Sequence, residues 1–397
     1  MLHSIVMKRA IILLLISLIL STNLFASKLS EFKELRDNID KLHKNFYNTT
    51  EKATCDEIFT NLSKDIESTD DGEYYFTLSS YLALSNDSHT SLYAPNLALS
   101  FKYFALQLNF IEDEVYVVSG ISELSDYMAK QVISINGYSI DKILEKATKV
   151  VPHDNEVYLK LWLNNQLNNT SFLSFIGIMD DQNEDVILTF SDNSTLTLTP
   201  MMILELRSHS LISAVKGYSK YIYQGYYLAQ NIDNKTLLIS YNTCSEDPNY
   251  PIKSFINDVK TMLKKTKYEK IIVDLRYNGG GNSALFEPVI KLLKKQKCEK
   301  YCLIGEQTFS SAILNAVSLK DDASFILVGS PTGGSINHYG EVKSFILSES
   351  NWEVYYSTKY FKLSNKYEGS IKPDVQIKKD ITSFIEGRDL EIEYCLK

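Results

Sequence analysis

A serine hydroxyl attacks a carbonyl only when a base stands within hydrogen-bond reach and a further group orients that base. Ser310 is placed for such a role. In Gly305-Glu-Gln-Thr-Phe-Ser-Ser-Ala312 it follows a strand and opens a helix, so a hydroxyl and several backbone N–H groups face one space. As a helix cap alone it would do no chemistry, and the usual Gly-x-Ser-x-Gly signature of α/β hydrolases is missing. Bases are few, since the chain has six histidines. His89 lies in the polar run Ser85-Asn-Asp-Ser-His-Thr-Ser91, after an apolar helix. His338, in Asn337-His-Tyr-Gly340, is its rival. The anion that such an attack creates needs N–H donors. Ile271-Ile-Val-Asp-Leu-Arg-Tyr-Asn-Gly-Gly-Gly-Asn282 supplies them as a buried strand that breaks into three glycines. No Gly-Lys-Ser/Thr follows, which excludes a phosphate loop.

Three regions position these residues. From 28 to 95 apolar residues recur at helical spacing: Leu29, Phe32, Leu35, Ile39 and Leu42, then Ile58, Leu62 and Ile66. From 101 the texture changes to strands over 104–110, 115–118 and 132–135. An Asn136-Gly137 turn, a helix over 140–150 and a hairpin over 185–198 follow. From about 205 strands and helices alternate: a strand at 236–241, a helix over 252–263, the glycine-turn strand and a helix over 283–295. A strand near 302, a helix from 311 to 320 and a strand at 325–328 complete the series, which predicts a helix-flanked sheet.

Composition narrows the function classes. At 397 residues two or three domains are expected. Lys8 and Arg9, an apolar run from Ala10 to Leu20 and small residues near Ala26-Ser27 have the layout of a secretory signal peptide, the alternative being an uncleaved anchor; Met7 could serve as the start. Removing residues 1–26 changes the net charge from −8 to −10, because two basic and no acidic residues leave. An acidic exported chain is a poor nucleic-acid binder. Five irregularly spaced cysteines do not make a disulfide framework. Cys298 and Cys302 could bridge locally or merely flank a strand, and no His-rich partner supports zinc.

Taken together, Asp274-Leu-Arg-Tyr-Asn-Gly-Gly-Gly281, Thr308-Phe-Ser-Ser-Ala312, Val328-Gly-Ser-Pro-Thr-Gly-Gly334 and Ile371-Lys-Pro-Asp-Val375 resemble the ordered blocks of the C-terminal processing (tail-specific) serine peptidase family. Asp87-x-His89-Thr90 resembles its upstream block, and 101–150 its PDZ-like module. The resemblance implies Ser310 as nucleophile, with an oxyanion hole from the N–H groups of Ser311 and of Gly279 or Gly280. The common bacterial branch carries a lysine base in Pro-Thr-Phe-Gly-Lys; here that block reads Pro331-Thr-Gly-Gly-Ser335, so Ser335 stands in the lysine's place. The resemblance therefore points to the tricorn-core and chlamydial-protease branches. These imply His89 as base and Glu368, 58 residues after Ser310, as the carboxylate that orients it. Ser88 and Ser335 would assist through hydrogen bonds.

The expectation is an α+β or α/β multidomain protein. It has a signal peptide (1–26), an N-terminal helical region (27–97), a PDZ-like β-rich module (98–204) and a ClpP/crotonase-like α/β catalytic core (205–397). It would be an exported serine endopeptidase acting on protein or peptide, without metal or organic cofactor, and touching membrane only through its signal segment. The sequence leaves two alternatives open: a non-catalytic binder of hydrophobic ligands or peptides on the same fold, and an esterase using the same residues.

Overall fold

The structure, a computed structural model, describes residues 27–95 and 97–397. The segment read as a signal peptide lies outside them. Among the described residues no helix is long and apolar enough to cross a membrane.

The N-terminal region is helical, as its periodicity predicts. Helices span Lys28–Leu42, Lys52–Leu62 and Asp71–Ala83. The Ser27 hydroxyl caps the first, and Asp70 with Glu73 forms a capping box on the third. Phe32, Leu35 and Ile39 bury one stripe. Phe32 packs on Phe59 and Tyr81, so aromatic contacts join the three helices.

Next comes a mixed module around an antiparallel sheet. Leu106–Ile111, Glu114–Ile121, Gln131–Ile135, Val186–Phe190 and Thr195–Leu198 pair in it. Asn136 and Gly137 both take positive φ, 50° and 78°, which a type I′ turn requires. Leu211–Ser213 also joins this sheet, beside Glu114–Ile121, so its pairing runs past residue 204.

The third part is a six-stranded sheet in the order Tyr227–Asn231, Thr236–Tyr241, Lys270–Asp274, Glu299–Ile304, Ile326–Gly329 and Val375–Gln376. The first pairing is antiparallel and the other four are parallel. Alternate residues serve opposite faces. Ile271 and Val273 pack with Phe255, Val289 and Ile313 from three helices, whereas Ile272 meets Ile392 and Cys395 of the C-terminal helix Leu390–Leu396. That is why the strand reads as an unbroken apolar run.

A long hairpin, Asn337–Ile346 with Glu353–Lys362, was not legible as strands in the sequence. Its second strand pairs with Ser91–Tyr93, which begins two residues after His89, and Trp352 near its tip packs on Tyr74 and Tyr75. The hairpin thereby ties the helical region to the parallel sheet and carries His338 toward His89.

Candidate functional site

Ser310 sits one residue before the helix Ser311–Ala323 with φ 55° and ψ −125°, a backbone conformation that is costly for a residue with a side chain. The surrounding loop is stitched to the glycine turn. The Thr308 hydroxyl donates to Leu275 O at 2.8 Å and accepts from Gly305 N–H, and Phe309 N–H donates to Asn278 O at 3.0 Å. Gly280, at φ +107°, passes so close that an added Cβ would lie 2.6 Å from Ser310 Cβ, so only glycine fits. The Ser311 hydroxyl donates to Gly281 O.

The N–H groups are not equivalent. Gly280 N–H is spent on Asn278 Oδ1 at 2.9 Å, while Asn278 Nδ2 donates to Tyr241 O. Of the glycine alternatives, Gly280 is therefore committed to the turn's own structure. Among the described residues the N–H groups of Gly279 and Ser311 have no partner. Asn278, fully buried, holds this turn in shape and is a residue that sequence reasoning passed over.

His89 and His338 come together with the serine loop. The rings of Tyr158, Phe309, His89, His338 and Phe361 form a column. Successive centroids are 5.2, 4.4, 5.4 and 5.3 Å apart, all within 28° of parallel. His89 thus rests on the residue next to Ser310, and His338 shares with Ser310 a cleft of about 340 Å³ that also takes in Gly281, Leu314 and Glu341. Among the described residues neither imidazole is hydrogen-bonded to the Ser310 hydroxyl. Both His89 nitrogens are buried without a partner.

The two rings differ electrically. His338 Nδ1 donates to Ser335 O at 2.8 Å, and burial, followed by the charge of His89, pushes its imidazole down to about 4. A histidine depressed from about 6.5 binds fewer protons folded than unfolded between those values. Its stabilising contribution is therefore complete above about pH 6.5 and is lost as pH falls toward 4, a swing of about 3 kcal/mol. His338→Gln should flatten most of that slope, measured as urea-unfolding free energy across the window; an unchanged slope would show that other groups set it.

The carboxylates fall unexpectedly. Glu368 is exposed and hydrogen-bonded to neither histidine. Its segment lies beside Ser335 and Ile336, with Gly369 O accepting from Ile336 N–H at 2.8 Å. Burial, and after it the charge of Glu368, pushes the Tyr360 phenol up. Asp87, by contrast, is fully buried with Oδ1 3.6 Å from His89 Nδ1. Burial alone would raise its carboxyl, but the hydrogen bond of His43 and the proximity and charge of His89 hold it well below the usual carboxylate range.

The hydroxyls of Ser88 and Ser335 do not reach the histidine nitrogens. The Ser88 hydroxyl donates to Asp154 Oδ1 at 2.7 Å, and Asn155 Nδ2 reaches Asp154 Oδ1, Gly333 O and Ser335 Oγ at 2.8–3.0 Å. Burial pushes the Asp154 carboxyl up. This network stitches the His89 loop to the Gly333-Gly-Ser335 turn. Nothing local in the sequence signalled Asp154. All five cysteines are free, and among the described residues no group of three His, Cys, Asp or Glu side chains could hold a metal.

No protein-family model matches the chain and no curated protein does. Solved structures do match. A mutant of CPAF aligns with a TM-score of 0.62 at 12% identity, over 94% of this chain and 96% of that one. Mature CPAF complexed with lactacystin gives 0.60 at 12% identity, over 93% and 96%. Mature CPAF alone gives 0.59 at 12% identity, over 94% and 96%. The protein is thus similar in fold to CPAF over nearly its whole length.

Proposed function

We propose that this protein is an exported serine endopeptidase of the C-terminal processing family, with a ClpP/crotonase-like catalytic core and a PDZ-like module. Ser310 attacks the scissile carbonyl, and His89 takes its proton and returns it to the leaving amine. The N–H groups of Gly279 and Ser311 receive the developing oxyanion. The observation that carries this reading is the meeting of three segments far apart in sequence. A serine in a strained turn presses on a glycine that no other residue could replace, beside two unpartnered N–H groups, with an imidazole stacked on its neighbour Phe309. The ordered motif blocks and the whole-length fold likeness support the same conclusion. The layout of residues 1–26 supports export.

His89 is the better base of the two. An imidazole held near 4 accepts a proton poorly at neutral pH, whereas His89 has an ionised carboxylate beside it. Its free nitrogens must still close on the Ser310 hydroxyl, as catalytic hydrogen bonds commonly do only when substrate binds. Casein digestion tests the proposal. Ser310→Ala should lower the rate by about 10⁴- to 10⁶-fold, and cleavage of small esters but not casein would make the protein an esterase instead. No cleavage by the wild type would leave the binding-protein alternative.

A further inference from the structure

A general-base histidine works best when a carboxylate fixes its tautomer and stabilises its cation. Such a carboxylate has to be ionised, immobile and close to Nδ1. We propose that Asp87, seated on His43, is that carboxylate, so that the N-terminal helical region supplies a positioning pair to the site. The inference rests on the Ser310–His89 reading and replaces the Glu368 assignment.

Asp87 is held from three directions. His43 Nε2–H and the Thr90 hydroxyl donate to Oδ2 at 3.2 and 2.7 Å, and the backbone N–H of His89 donates to Oδ1 at 2.9 Å. The His43 tautomer is fixed, because its Nδ1 accepts from Asn45 N–H at 3.1 Å and the proton must lie on Nε2. Oδ2 is thereby occupied, and Oδ1 keeps a lone pair toward His89 Nδ1. The gap of 3.6 Å needs to shorten by only about half an ångström to become a hydrogen bond. Neither side chain of the His43–Asp87 pair is exposed, so solvent does not screen them.

The other carboxylates serve less well. Glu368 is exposed and makes no hydrogen bond to His89. Asp154 spends Oδ1 on Ser88 and Asn155, and burial favours its neutral form. The titratable groups around His89 are thus Asp87, Asp154, His338 and, behind Asp87, His43. His43 itself closes the helix Lys28–Leu42, and its ring lies against Phe46 and Tyr339. The next residue, Lys44, donates its N–H to Ser357 O of the hairpin at 2.8 Å. Hairpin and helix together set where Asp87 stands.

Steady-state kinetics on a peptide substrate and fluorophosphonate labelling rates, both against pH, test this in the full chain. Asp87→Asn should lower kcat by about 10²- to 10⁴-fold with KM nearly unchanged. The acid limb of the kcat/KM profile should move to lower pH, since the imidazolium loses its counter-charge. His43→Gln, whose amide can still donate to Asp87, should retain at least about ten times the activity of His43→Leu. Glu368→Gln should cost at least about tenfold less than Asp87→Asn. If Asp87→Asn does not fold, the two His43 variants and Glu368→Gln decide. Equal His43 variants, or a Glu368→Gln loss within about tenfold of the Asp87→Asn loss (or of about 10²-fold or more where Asp87→Asn does not fold), would overturn the inference while an active, labelled wild type leaves the peptidase reading standing. A wild type that neither labels nor cleaves would take both down.

Discussion

Changing His89 to alanine should lower kcat/KM on a peptide substrate by about 10²- to 10⁴-fold, the usual worth of a positioned general base. His338→Ala should cost less than about tenfold. The two rings are stacked 5.4 Å apart, and of the two it is His338 that lines the Ser310 cleft, so proximity does not favour His89. Charge does. His338 is tied through Nδ1 to Ser335 O and depressed to about 4, so at neutral pH it has little tendency to take the serine proton. His89 faces an ionised Asp87 and keeps both nitrogens free. Single-turnover measurements on both variants check this; the reverse order of losses would transfer the base to His338 and strip His89 of its role.

Replacing Arg276 by alanine should lower the unfolding free energy by about 3–5 kcal/mol, because it leaves buried carboxylates without a counter-charge. The guanidinium grips Asp274 through Nε and Nη2 at 3.0 and 2.8 Å, Asp389 through Nη1 and Nη2 at 2.8 and 3.0 Å, and Glu391 at 3.2 Å. All four side chains are at most 7% exposed. Lys379 beside Glu391 offsets only part of the remaining charge. Asp274 ends the strand that runs into the glycine turn, and Asp389 caps the C-terminal helix. The change should therefore loosen the helix from the sheet and disturb the N–H groups together. Urea unfolding followed by tryptophan fluorescence measures it, and a loss under about 1 kcal/mol would mean that water or a shifted Lys379 takes over the charge.

How legible each part was follows from the range of the interactions that make it. Ile271 to Asp274 is apolar because both sheet faces are covered, and the glycines follow because Ser310 presses on them; each condition leaves a mark in adjacent residues. The helix after Ser310 was read from Ser311 to Lys320 and runs to Ala323. The hairpin over 337–362 left no such mark. Much of it is exposed, its apolar residues are spaced among polar ones, and Gly340 interrupts it. Asp87 and His89 read as a polar loop because what buries them, His43, Phe309 and the hairpin, lies far along the chain. Glu368 was placed by resemblance, and its exposure depends on the path of the chain after the hairpin. Asp154 is invisible locally for the same reason.

The central claim, that Ser310 is an activated nucleophile, is tested most directly by fluorophosphonate treatment, intact mass and peptide mapping. A single adduct on the peptide carrying Ser310, absent from Ser310→Ala and slower to form in His89→Ala, is the predicted result. No adduct on the folded wild type, or the same adduct on Ser310→Ala, would contradict it.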